Sequence, residues 1–116
     1  AEAGEVVAAL VAERLVDDAR SAERFVAAHA DRGQGPLRIA MELAGRGVAA
    51  ELIESAVASG DAAWQSRCAQ VRRRRFGDVV PGEWKERARQ ARFLQYRGFS
   101  AEQVRAALGR DLELEE

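Results

Sequence analysis

Lys85, Arg89, Arg92 and Tyr96 stand at i, i+4, i+7 and i+11. On a helix turning 100° per residue they fall within about 60° of one another. Three cations and an aromatic ring on one stripe can hold phosphates and stack a base or a protein loop. The plain alternative is a solvated face whose long stems cover Tyr96. Trp84, Ala88, Ala91 and Leu94 fall near the opposite quadrant and are expected to face the core. A second basic feature is the run Arg72-Arg73-Arg74-Arg75, with Arg67 more than a turn earlier. Four consecutive arginines cannot share a face: Arg72 and Arg75 lie on one side, and Arg73 and Arg74 point away. Near a helix C-terminus each also opposes the negative end of the dipole, worth ~0.3–1 kcal/mol. Arg67, Arg72 and Arg75 join the stripe and Arg97 as candidate contacts, with Arg32, Arg38 and Arg46 as secondary candidates.

The other reactive side chains read as structural. Asp17-Asp18 would cap free N–H groups at a helix start, and no third ligand nearby suggests a metal. His29, the only histidine, sits on an apolar stripe and is expected to pack. Cys68, the only cysteine, lies between Trp64 and Val71 and reads as a small core residue. No Walker A loop, zinc-ligand spacing or GxSxG elbow occurs. Neither an enzyme nor a cofactor is expected.

Helices must position these groups. Gly recurs at each break, at 32–36, 45–47, 59–61, 76–82 and 97–98, where a left-handed residue closes a helix. The spacing predicts helices over 4–15, 18–31, 36–45, 49–58, 61–76, 82–97 and 100–109. Ala22, Phe25, Val26 and His29 form one apolar stripe. Others are Ile39, Ala40 and Leu43; Leu52, Ile53, Ala56 and Val57; and Trp64, Cys68 and Val71. Ser100 with Gln103 is a capping-box pair, and Pro36 suits a first helical turn.

The segment Arg46-Gly47-Val48-Ala49-Ala50-Glu51-Leu52-Ile53 returns 51 residues later as Arg97-Gly98-Phe99-Ser100-Ala101-Glu102-Gln103-Val104. A weaker copy begins at Glu5-Val6-Val7. The unit is about 50 residues and three helices, and such units stack into an array. The expected division is the last helix of one unit (1–16), a whole unit (17–59), another (60–110) and an acidic tail (111–116). The expected fold is all-α, with helix-turn-helix-like repeats, elongated and curved.

The 116 residues carry 18 basic and 19 acidic side chains, a formal charge of -1, and 47% are hydrophobic. That composition suits a folded chain and excludes a uniformly basic nucleic-acid binder. The average conceals an asymmetry: net -5 over 1–64, +8 over 65–110 and -4 over 111–116. A basic half attracts phosphates or acidic protein over a Debye length of ~8 Å at physiological salt. No apolar run approaches the ~20 residues of a membrane span, and one cysteine forms no intrachain disulfide. A reducing, cytoplasmic setting and a monomer are expected.

Several segments together resemble a known family. They are Leu15-Val16-Asp17-Asp18-Ala19-Arg20, Arg24-Phe25-Val26, Gly33-Gln34-Gly35-Pro36, Arg38-Ile39, Glu42-Leu43 and Gly47, then Arg75-Phe76-Gly77, Lys85, Arg92-Phe93-Leu94 and Arg97-Gly98-Phe99. In order and spacing this is similar to the RecX regulatory proteins, from about residue 5 to residue 109. The resemblance implies three tandem three-helix repeats, the first represented here by its last helix alone. It also implies a modulator that lies in the groove of the RecA–DNA filament and inhibits RecA's ATP hydrolysis, strand exchange and co-protease activity. The expected partner is therefore the RecA nucleoprotein filament, with direct DNA contact open. The rivals are a stand-alone DNA-binding helical module, which the acidic first half opposes, and a helical scaffold that dimerises through exposed apolar surface.

Overall fold

In a computed structural model the backbone is described for residues 2–58 and 61–114, and side chains for 17–58 and 62–114. Six helices follow one another: α1 (Glu2–Asp31), α2 (Pro36–Gly45), α3 (Ala50–Val57), α4 (Asp61–Phe76), α5 (Trp84–Tyr96) and α6 (Ala101–Leu108). No strand occurs among the described residues. α1 packs on α2 and α3, and α4 packs on α5 and α6, so the chain forms two three-helix units. The described residues span 69 × 23 × 21 Å.

The two helices expected over 4–15 and 18–31 are one continuous helix, α1. No Gly or Pro falls between residues 15 and 31, and a break would forfeit several backbone hydrogen bonds to save a propensity cost of at most about 0.7 kcal/mol per residue. Asp17 and Asp18 consequently lie inside α1, exposed to solvent. They cap nothing, and the N-terminal role expected of them is wrong. The weaker copy of the repeat that begins at Glu5-Val6-Val7 lies outside the residues whose side chains are described.

The repeated segment folds twice into one motif. α2 ends with Gly47 N–H donating to the Ala44 carbonyl (3.0 Å) and Val48 N–H to the Leu43 carbonyl (3.1 Å). α5 ends with Gly98 N–H on Gln95 (3.0 Å) and Phe99 N–H on Leu94 (3.2 Å). This is the Schellman arrangement, and it needs a left-handed residue. Gly47 has φ +84° and Gly98 φ +103°. At both sites the following aliphatic or aromatic residue folds back toward the last helical turn. The next helix then starts, at Ser100, with the expected capping box: Gln103 N–H donates to Ser100 Oγ, and Ser100 N–H to Gln103 Oε1.

One core runs through both units, from Val26, Ile39, Leu43 and Ile53 to Trp64, Cys68, Leu94, Phe99, Val104 and Leu108. Trp64 also donates from Nε1 to the Val57 carbonyl at 2.9 Å, so an α4 side chain caps the end of α3. Burial pushes the Cys68 thiol up to about 12.

A tighter joint lies between the loop after α1 and the loop after α5. Gly35 N–H donates to the Arg97 carbonyl at 2.8 Å, and Leu37 N–H to the Gly98 carbonyl at 3.0 Å. These two donors belong to the N-terminal end of α2, where intrahelical partners are missing. The two backbones cross so closely that a Cβ on Gly35 would lie 2.4 Å from the Gly98 carbonyl carbon.

Candidate functional site

α5 presents the expected stripe to solvent. Gln90, Ala91 and Leu94 form its buried face, and Lys85, Arg89, Arg92 and Tyr96 are all exposed. On a helical wheel the centres of these two faces lie about 180° apart. Trp84 departs from expectation. It is 65% exposed rather than core-facing, because the buried face is centred about 70° away from it on the helical wheel.

The charges of the stripe are not all free. Arg89 makes a two-pronged bond to Glu86, Nη2 to Oε1 at 2.6 Å and Nε to Oε2 at 2.9 Å. The bonds from Arg89 and then Gln90 hold the Glu86 carboxyl down at about 2. Lys85 lies over the Trp84 ring at 5.9 Å. Arg92 has no carboxylate partner among the described residues.

The arginine run divides differently from the expected pattern. Arg72 is 2% exposed and cannot join a binding surface, which corrects its place among the contact residues. Its Nη2 donates to the carbonyls of Gly77 (3.0 Å) and Asp78 (3.3 Å), and its Nη1 to the Val79 carbonyl and Gln90 Oε1 (both 3.4 Å). A single guanidinium thus satisfies the loop between α4 and α5. The sequence signal was present: Arg72 stands four residues after Cys68, so the Trp64–Cys68 stripe continues into it. Arg75 does not share its fate. It is exposed and lies over Phe93 (5.5 Å) and Phe76 (6.0 Å), two rings in edge-to-face contact at 5.4 Å. Arg73 and Arg74 are exposed.

The remaining candidates scatter. Arg67 pairs with Asp31 at 3.1 Å, tying α4 to the end of α1. Arg97 donates from Nη2 to the Arg32 carbonyl (2.6 Å) and from Nε to the Gly33 carbonyl (3.2 Å). Arg38 lies 3.6 Å from Glu42 and over the Tyr96 ring at 5.6 Å, joining α2 to the end of the stripe. Arg46 is apart from these, over Phe25 at 4.8 Å on the first unit. His29 packs as expected, stacked on Phe25 at 3.8 Å. Its Nδ1 lies 2.9 Å from the Phe25 carbonyl, which can only accept, so Nδ1 carries the proton.

Tyr96 also borders an apolar groove that the sequence did not announce. The groove holds about 580 Å³ and is lined by Leu37, Arg38, Met41, Glu42, Gln95, Tyr96 and Gly98. Leu37 is 52% exposed and Met41 and Tyr96 are each 76% exposed. Among the described residues no cluster of His, Cys, Asp and Glu could hold a metal ion, and no helix is long and apolar enough to cross a membrane.

The folding units coincide with known family models. The second three-helix domain of RecX matches residues 17–57 and the third matches residues 64–108. The chain is 50% identical over 102 residues to the regulatory protein RecX of Halorhodospira halophila, covering 88% of this chain and 63% of that protein. It is 42% identical over 105 residues to that of Pseudomonas tolaasii, covering 90% and 68%. The chain belongs to the RecX family. It is also 36% identical over 102 residues to the RecX of Serratia proteamaculans, with 88% and 61% covered. It thus spans about six-tenths of the length of several RecX relatives. The glycine-rich segments that carried the resemblance, Gly33-Gln34-Gly35-Pro36 and Arg97-Gly98-Phe99, are the two stretches of backbone that cross at the joint.

Proposed function

We propose that this RecX chain binds the RecA–DNA filament and inhibits RecA's ATPase, recombinase and co-protease activities. It does so as a cytoplasmic monomer without chemistry of its own. The observation that carries this reading is the meeting of a basic stripe and an apolar groove at Tyr96. A duplex or single strand of DNA calls for cations and stacking rings but not for an exposed leucine and methionine beside them. An exposed apolar patch rimmed by charge is the mark of a protein contact. A filament offers both surfaces at once, phosphate and acidic protein for Lys85, Arg89 and Arg92, and apolar protein surface for Leu37 and Met41. Inhibition extends only as far as the chain prefers one filament state over another.

The test is RecA ATP hydrolysis on single-stranded DNA with the chain titrated in, alongside binding to filaments, free RecA and bare DNA at one salt concentration. Hydrolysis should fall, and filaments should bind most tightly. Unchanged hydrolysis, with equal affinity for filaments and bare DNA, would refute the regulator and favour the stand-alone DNA-binding module.

A further inference from the structure

Beside the joint, the last turns of three helices converge on one cleft of about 410 Å³. It is lined by Arg32 and Gly33 just past α1, by Val71, Arg74 and Arg75 of α4, and by Phe93 and Arg97 at the end of α5. Four arginines line this space, and no carboxylate does. Arg32, Arg74, Arg75 and Arg97 also lack an ion-pair partner anywhere among the described residues. Several arginines outside the cleft are matched, Arg67 with Asp31, Arg87 with Asp111, Arg89 with Glu86 and Arg110 with Glu102, whereas Arg92 and others are not, so what sets the cleft apart is that its four charges share one concave space.

Helix ends explain part of this accumulation. Each C-terminus carries roughly half a negative charge, so three ends offset about one and a half of the four positive charges. Arg97 is the clearest case, because it caps α1 directly through the Arg32 and Gly33 carbonyls. About two and a half charges are left uncompensated in one concave space.

We propose that this cleft between the two units seats the backbone of a single nucleic-acid strand, with Arg32, Arg74 and Arg75 holding two successive phosphates. Guanidinium forks match phosphate oxygens two at a time. A strand supplies one charge per nucleotide, which suits an excess of two to three. The cleft floor adds a surface for sugar or base, since Arg75 lies over the Phe93 ring at 5.5 Å. Arg97 serves as the positioning residue, fixed to the end of α1 and lining the same space. The site joins residues of both units, so an occupied cleft would also brace one unit against the other. This contact concerns DNA alone and stands whether or not RecA is the partner.

The experiment measures fluorescence anisotropy of a labelled 20-nucleotide oligothymidylate at several salt concentrations, with thermal melting of each variant. Arg32→Gln/Arg74→Gln removes two cleft charges whose side chains make no ion pair among the described residues. Lys85→Gln/Arg92→Gln removes two charges from the stripe. The cleft pair should lose about tenfold in affinity at low salt, and its log–log salt slope should shrink by about 1.4, the value for two single-strand phosphates. The stripe pair should lose less than threefold. The cleft pair should melt within about 4 °C of the parent, because relief of like-charge repulsion offsets the lost attraction to the ends of α1 and α4, about 0.3–1 kcal/mol each. Equal losses from both pairs would reduce the site to diffuse charge and overturn the proposal, as would parental binding by the cleft pair. A melting temperature lowered by more than that would show that the guanidinium groups support the fold, and would overturn the proposal as well. A polyglutamate peptide that displaces the oligonucleotide at equal charge would make the cleft an acidic-protein site instead. Unaltered RecA hydrolysis with the cleft pattern intact would refute the regulator alone.

Discussion

Gly35→Ala should be among the most damaging single-methyl changes in this chain, although Gly35 has an ordinary φ of -88° and carries no strain of its own. The added Cβ would lie 2.4 Å from the Gly98 carbonyl carbon and the Phe99 nitrogen, and 2.5 Å from the Gly98 oxygen. All three are backbone atoms and have no rotamer by which to move aside. Ordinary contact begins near 3.4 Å, so the two loops must separate by about 1 Å. That stretches the Gly35–Arg97 and Leu37–Gly98 bonds from 2.8 and 3.0 Å to beyond hydrogen-bonding distance. Two lost bonds at about 1 kcal/mol each, with overpacking of about 1–2 kcal/mol, give a loss of about 3–4 kcal/mol. At roughly 4 °C per kcal/mol for this length, the melting temperature should fall by about 12–16 °C. Gly45→Ala is the matched control. It lies in α2 with nothing within 4 Å of the added atom, so it should gain about 0.5–1 kcal/mol by helix propensity. Circular dichroism melts at 222 nm decide between them. A Gly35→Ala chain melting within 2–3 °C of the parent would refute the crossing as a rigid joint.

Arg72→Met should cost about 2–4 kcal/mol by chemical denaturation, because three loop carbonyls and Gln90 lose their buried donor. A loss below 0.5 kcal/mol would mean that water replaces the guanidinium. Reversing Lys85, Arg89 and Arg92 to Glu should cost stability only modestly, about 1.5 kcal/mol in all with the Arg89–Glu86 pair lost, yet weaken filament binding severely through like-charge repulsion; parental binding by a folded triple variant would remove the stripe from the interface. Cys68, its thiol raised to about 12 by burial, stays protonated through neutral pH. Burial disfavours the thiolate, so the folded state loses stability relative to the unfolded chain as pH rises above the ordinary thiol value, where only the unfolded thiol ionises. Ellman's reagent at pH 8 should therefore react with denatured chain and spare native chain, and fast native labelling would contradict the packing.

The sequence disclosed most of what depends on local order. Helix ends followed from Gly47 and Gly98, the capping box from Ser100 and Gln103, and the exposed stripe from the spacing of Lys85, Arg89 and Arg92. Each is decided by residues a few positions apart. The misreadings fall where neighbours in space decide instead. Asp17 and Asp18 look like caps, but their polarity alone does not end a helix that lacks a breaker. Arg72 looks like its three neighbours in the run, but its position relative to Trp64 and Cys68 sends it inward, where the open carbonyls of 77–79 give it partners. Trp84 looks like a core residue, but its place at the very start of α5 leaves the indole 65% exposed.

The cleft could not be read at all from one helix, because Arg32 and Arg97 are 65 residues apart and meet only through the joint. That joint is also why the Gly-Gln-Gly-Pro and Arg-Gly-Phe segments belong together. Gly35 and Gly98 let two backbones approach, and the approach places Arg97 on the end of α1. With Arg97 there, the mouth of α1 is capped from a different unit, and Arg32 is held opposite Arg74 and Arg75 across one space. Packing and charge are therefore set by the same contact. A change that loosens the crossing, Gly35→Ala above all, should open the cleft as it lowers stability, whereas neutralising Arg32 and Arg74 should alter binding and leave the crossing intact. Stability and DNA affinity ought to fall together in the first case and separate in the second, because only the first moves the backbone that both depend on.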